Sequence, residues 1–199
     1  VYTDTEVYLQ EQANIFRGNS WHYLGLDAEV PNSGDYKTTY IGDTSVLMVR
    51  DENGNINGLV NRCAHRGNMV CRDAFGSAQS LYCVYHAWSY DLKGNLKNAA
   101  FSRGIRGEGG LPKDFDKANH GLTQLRTEII CGLVFATFSS TVESLEDWLG
   151  DVAYGIRRLL TKPLKVLGYD TQRIKSNWKN YHENPRDSYH ANILHTFYG

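Results

Sequence analysis

Long hydrophobic runs are missing from this sequence. No apolar stretch in its 199 residues approaches the roughly 20 needed to cross a bilayer, so no membrane-spanning helix is predicted. Cysteine is scarce. Cys63, Cys71, Cys83 and Cys131 are too few for a disulfide scaffold. No secretory signal stands at the N-terminus, and the expected setting is a reducing cytoplasm. Charge of one sign is also lacking: 21 Lys and Arg against 22 Asp and Glu leave a net charge of −1. That balance favours neither nucleic acid nor an anionic membrane as partner. No G-x-G-x-x-G lies between a strand and a helix, so no dinucleotide is expected to bind. The Gly-rich GIRGEGG (104–110) follows no clear strand and reads as a flexible loop. There is no internal repeat. The chain opens on Val1 and closes on Gly199 inside an aromatic-rich segment, and it reads as a piece of a longer protein.

Short runs rich in β-branched and aromatic residues dominate the middle of the chain. They include YKTTYI (36–41), SVLMVRD (45–51), INGLVN (56–61), SLYCVY (80–85), SYD (89–91), TQLRTEII (123–130) and GLVFATFS (132–139), separated by turns such as ENGN and LKGN. This spacing predicts an all-β unit of short strands and tight turns. Helices are expected at both flanks. One covers residues 3–15, capped by Thr3 or Asp4. The other covers 141–160, with Thr141, Ser144 and Glu146 at its start and Pro163 beyond its end. VLGYDTQRI (166–174) reads as a strand. A domain boundary is expected at 139–141.

Two constellations carry chemistry. The first is CAHRGN (63–68) with CVYHAWSY (83–90): Cys63-x-His65, seventeen residues, then Cys83-x-x-His86. Zinc fingers pair Cys with Cys and His with His. Here each short loop carries one of each, which suits a binuclear iron–sulfur cluster. Two thiolates take one iron and two imidazoles the other, and the neutral imidazoles raise the reduction potential. A zinc module and scattered core residues are the alternatives. Trp88 is expected to shield the site or to be an ordinary core aromatic. The second constellation is Asp187, His190 and His195 in NWKNYHENPRDSYHANILH. On a helix Asp187 and His190 share a face. Two His and a carboxylate form the facial triad of non-haem Fe(II) oxygenases. Asn184 and Pro185 are expected at the N-cap and first turn of that helix.

The pair CxH…CxxH resembles the Rieske [2Fe–2S] fingerprint. The further cysteines that form a disulfide in respiratory Rieske proteins are replaced here by Asn68 and Tyr85, as in the ferredoxin and oxygenase branch. With SWHYLGLDAEVPNSGDY, CVYHAWSYDLKGNL and NWKNYHENPRDSYHANILH, the whole chain resembles the large (α) subunit of Rieske aromatic-ring-hydroxylating oxygenases. VYTDTE, GIRGEGGLPKDF and CGLVFATFS resemble most the α subunits that act on aromatic carboxylates such as terephthalate, salicylate or anthranilate. The resemblance implies an α+β protein: an N-terminal helix (1–19) packing with the catalytic domain, an all-β Rieske domain (20–139), and the start of a helix-grip-like catalytic domain (140–199).

It further implies a [2Fe–2S] cluster on Cys63, His65, Cys83 and His86, and a mononuclear Fe(II) on His190 and His195. Asp187 then links one subunit's Rieske histidine to its neighbour's iron ligand instead of binding iron. Glu183 and Asn184 stand near the iron and the electron path, the third iron ligand lies past Gly199, and His182, Cys71 and Cys131 are structural. The implied partners are an NADH-dependent reductase, with or without a ferredoxin, a homotrimeric α core, a small β subunit, an aromatic substrate and dioxygen. A Rieske ferredoxin is the competing reading, and it leaves the helix at 141–160 and the final His pair without a role.

Overall fold

The computed structural model describes residues 1–195. Two compact units divide the backbone: Gln12–Val166 is one, and Val1–Glu11 with the chain from Leu167 onward is the other.

Helix α1 (Thr5–Glu11) opens the chain. Asp4, not Thr3, is its cap, because Asp4 Oδ1 accepts the N–H groups of Glu6 and Val7 at 2.9 and 3.1 Å. The helix is shorter than the 3–15 expected, and Gln12–Phe16 continues as a π-type turn.

In the larger unit the chain forms β1 (His22–Leu26), β2 (Asp35–Ile41), β3 (Thr44–Arg50), β4 (Ile56–Val60), β5 (Phe75–Ser77), β6 (Leu81–Tyr82), β7 (Ser89–Tyr90), β8 (Leu96–Asn98), β9 (Gln124–Ile130) and β10 (Leu133–Thr137). The large antiparallel sheet runs β1-β10-β9-β4-β3-β2-β5, and β6-β7-β8 form a small one. Strand β3 explains the layering. Its unbroken apolar run buries both faces, as alternation of side chains across a strand requires. Val46 and Met48 enter a core with Leu24, Val30, Ile41 and Val134, while Leu47 and Val49 enter a second core with Leu59, Leu81, Tyr90 and Leu96. The second core carries the cysteine-bearing loops.

Two D-x-x-G-N turns close hairpins with the same bonds. Asp51 Oδ1 accepts from the N–H groups of Asn53 and Asn55, and Asp91 Oδ1 does so from Lys93 and Asn95. In each, the Asp N–H donates to the Asn carbonyl and the Gly N–H to the Asp carbonyl.

Residues 141–160 are not one helix. They form α2 (Leu145–Leu149) and α3 (Asp151–Leu159), broken at Gly150, whose φ of +52° no L residue adopts without strain. Ser144 caps α2, its Oγ accepting the Asp147 N–H at 3.2 Å. Leu145 and Ala153 are buried with Trp21, Ile130 and Val142. These contacts put both helices in the same compact unit as the strands.

In the smaller unit, residues 166–174 carry no strand. A β-run is held only by a ladder, and no described strand pairs with this one. Two short helices follow: α4 (Trp178–Glu183) and, after a 3₁₀ turn at Asn184–Arg186, α5 (Ser188–Leu194).

Candidate metal centres

The first four candidate ligands sit on two loops of matching construction, one between β4 and β5 and one between β6 and β7. In the first, Cys63 N–H donates to Asn68 O and Cys63 O accepts from Gly67 N–H. In the second, Cys83 N–H donates to Trp88 O and Cys83 O accepts from Ala87 N–H, all at 2.8–3.0 Å. The fifth residue of each loop must take a positive φ: Gly67 at +75°, Ala87 at +56°. Glycine meets this freely. Alanine does so against its Cβ, at a cost of about 1–2 kcal/mol.

The loops bring the thiols together at the buried end and the imidazoles together at the outer end. Cys63 and Cys83 are 3 % and 2 % exposed and lie in one core cluster. The rings of His65 and His86 lie 4.7 Å apart. Among the described residues no three His, Cys, Asp or Glu side chains converge on a point for a single ion. A thiol pair facing an imidazole pair is the donor set a two-iron cluster takes. The surroundings fit an anionic sulfur centre. Burial pushes the Cys83 thiol up, but the N–H groups of Tyr85 and His86, with Cys63 and Asn68, outweigh it and hold the thiol below its ordinary value. Cys71, in the same core, has no such donors, and burial first, then Asp73, pushes it up to about 12. Burial, then His86 and Arg66, lowers His65, which favours the neutral imidazole that binds metal.

The aromatic frame is specific. Trp88, buried, stacks on His65 at 4.9 Å and 11°, and Tyr85 lies 3.8 Å from the His86 ring. Tyr90 is a site residue that pattern reading passed over. Its hydroxyl is 3.1 Å from Cys63 Sγ and accepts the Ala64 N–H at 3.1 Å. The signal available was only its alternation with Trp88 in HAWSY. Asn68 is likewise a participant, its amide donating to Cys83 Sγ at 3.8 Å. The outer end opens on an apolar groove of about 400 Å³ along His65, His86, Phe101 and Leu111.

The second constellation is also drawn together. Asp187, not Asn184, is the cap of α5. Pro185 has no N–H and sits in the preceding 3₁₀ turn, while Asp187 Oδ1 accepts the Tyr189 N–H at 3.0 Å. The other oxygen, Oδ2, lies 3.2 Å from His190 Nδ1. A carboxylate there keeps the proton on Nδ1 and leaves Nε2 as the electron-pair donor. His195 follows the last turn, its ring 5.5 Å from that of His190. The Tyr189 N–H, then His190, holds the Asp187 carboxyl below its usual range. Glu183 accepts a hydrogen bond from the Tyr2 hydroxyl at 2.7 Å. Asn184 begins the 3₁₀ turn, and its carbonyl accepts the Asp187 N–H.

Residues 20–106 match the Rieske [2Fe–2S] domain family. The chain therefore carries a Rieske domain. Over all 199 residues it is 47 % identical to the α 2 subunit of the terminal oxygenase component of terephthalate 1,2-dioxygenase from Comamonas sp., of which it covers 48 %. It is 50 % identical, again over 199 residues, to the large subunit of anthranilate 1,2-dioxygenase from Burkholderia cepacia, of which it covers 47 %. Naphthalene 1,2-dioxygenase from Rhodococcus sp. superposes with a TM-score of 0.83 at 32 % identity, over 94 % of this chain and 43 % of that one. Over its whole length the chain is similar to the large subunits of these oxygenases, and it spans about half the length of the curated relatives it matches.

Proposed function

We propose that this chain is the cluster-bearing half of an oxygenase that hydroxylates the ring of an aromatic carboxylate, terephthalate, anthranilate and salicylate being the compounds to try. The observation that carries the reading is the coexistence of two donor sets in one chain: the Cys63/Cys83–His65/His86 loops, and the Asp187–His190 contact of 3.2 Å with His195 beside it. An electron carrier needs only the first. The likeness to oxygenase α subunits runs the length of the chain, well past residue 106, where the Rieske match ends.

In this reading Cys63, His65, Cys83 and His86 hold the [2Fe–2S] cluster, and His190 and His195 hold a mononuclear Fe(II) completed by a carboxylate past Gly199. The cluster supplies one electron at a time and the iron supplies dioxygen chemistry. Asp187 keeps the His190 Nδ1 proton in place and, with its remaining lone pairs, links His190 to a cluster histidine of a neighbouring subunit. Trp88 and Tyr85 hold the cluster imidazoles edge-outward and limit water around them. Glu183 and Asn184 line the approach to Asp187. Residues 140–199 belong to the catalytic domain and 20–139 to the Rieske domain, residues 1–19 packing with the former. Electrons come from an NADH-dependent reductase, directly or through a ferredoxin. The assembly is an α trimer, with or without a small β subunit, working in the cytoplasm. No helix among the described residues is long and apolar enough to cross a membrane.

The test is the full-length oxygenase with its reductase, NADH and each candidate acid. Ring-hydroxylated product with matched NADH consumption is expected. A red-brown protein that accepts electrons yet hydroxylates none of the acids would replace this reading by an electron carrier.

A further inference from the structure

Helix α4 has six residues, well under the length at which a helix holds itself in water. Yet its end sets the position of Asp187, whose N–H bonds to the carbonyls of Glu183 and Asn184 at 3.1 and 3.3 Å. Something outside α4 must hold it, and Val1–Glu11 makes contact at both of its ends. At the start, Asn177 accepts the Lys179 N–H at 3.0 Å and donates its amide to Tyr2 O at 2.9 Å. Lys179 Nζ pairs with Glu11, donates to Val1 O at 3.3 Å and lies 5.5 Å from the Tyr2 ring. Trp178 Nε1 donates to Glu11 Oε2 at 3.0 Å. At the far end the Tyr2 hydroxyl donates to Glu183 Oε1 at 2.7 Å.

This is not an ordinary surface ion pair. The Glu11 and Lys179 side chains are 10 % and 17 % exposed, against 45 % and 43 % for Arg17 and Asp43. A pair withdrawn from water is less screened and more tightly oriented. Lys179 first, then Trp178, holds the Glu11 carboxyl below its usual range. From Glu11 and Tyr2 the polar contacts run through α4 to Asp187 and from there to His190 Nδ1.

We propose that Val1–Glu11 is a clasp, with Tyr2 and Glu11 as positioning residues that set the approach of Asp187 to His190. The inference deepens the oxygenase reading above. Neither residue touches substrate or metal; both act through α4.

Glu11→Ala, Glu11→Gln and Tyr2→Phe in the full-length oxygenase test it. Glu11→Ala is expected to keep its cluster, iron content and rate of reduction by the reductase, while product per reduced cluster in a single turnover falls about tenfold, at unchanged KM. Glu11→Gln still offers an oxygen to Trp178 Nε1 and should recover much of the loss. Tyr2→Phe should show a smaller drop. Hydrogen exchange of the amides of 187–190 should quicken in Glu11→Ala and Tyr2→Phe. Unchanged exchange and full product yield in both variants would overturn the clasp, as would a loss of cluster and iron in parallel with product, the mark of a merely structural role. If the wild-type enzyme makes no product but exchange quickens in the variants, the oxygenase reading fails and the clasp stands.

Discussion

The two donor sets are supported in opposite ways. The Cys63 and Cys83 loops rise from a hydrophobic core, and both sulfurs lie among Leu47, Leu59, Leu81 and Leu96. Their geometry rests on a sheet whose strand β3 is buried on both faces. Among the described residues of its own unit, the Asp187–His195 segment rises from no such core. Two short helices, a Pro-bearing turn, one cap and contacts from Val1–Glu11 hold it. The first set is rigid by packing, the second by a chain of directional hydrogen bonds. A core tolerates the loss of one hydrogen bond better than a chain of single bonds does, so the two sets should break differently.

The largest effect is expected at Cys83. Cys83→Ser should abolish the cluster and its visible absorption, while Cys71→Ser, at a thiol that burial keeps protonated, should leave both in place. Full absorbance in Cys83→Ser would remove it from the ligand set. In the second constellation, His190→Ala should remove the mononuclear iron and spare the cluster. Asp187→Asn should keep both metals and nearly stop product formation. Metal analysis with single-turnover yield decides, since loss of iron in Asp187→Asn would make Asp187 a ligand after all.

A subtler change is expected at Tyr90. Tyr90→Phe removes a hydrogen bond to a ligand sulfur. A donor to sulfur favours the more negative, reduced cluster, so the reduction potential should fall with the cluster retained. The Ala64 N–H also loses its acceptor, at a cost of about 1–3 kcal/mol in stability. Protein-film voltammetry with thermal melting reads both, and an unchanged potential would reduce Tyr90 to a packing role. The smallest effect concerns loop strain. Ala87→Gly should relieve the positive φ, offset in part by greater freedom of the unfolded chain, for a net gain of about 1 kcal/mol. A lower melting temperature would mean that the Ala87 methyl contributes more by packing than it costs in strain.

Legibility followed the same divide. The strands at 35–41, 44–50, 56–60 and 124–130 stood out because β-branched runs separated by turns rich in Gly, Asn and Asp encode local geometry. The candidate ligands stood out because metal chemistry restricts residue type and spacing together. Three features were hidden. Gly150 breaks the expected helix 141–160, and Leu145 and Ala153 on either side of the break pack in one cluster with Trp21 and Ile130, contacts that the local sequence does not reveal. Residues 166–174 have strand-like composition but no ladder, and a strand is a property of a pair. Tyr90 looked like one more core aromatic, because a hydroxyl's partner 27 positions away cannot be read from the neighbours of Tyr90.

By itself the sequence determined the candidate donor types, their pairing within each loop and the alternation that makes the unit β, since these follow from covalent spacing and short-range backbone preference. Tertiary structure alone decided that the two thiols meet at one end and the two imidazoles at the other, that Tyr90 reaches Cys63, and that Tyr2 and Glu11 hold a helix more than 160 residues away. Such contacts depend on which surfaces the core brings together, and no local pattern carries that information.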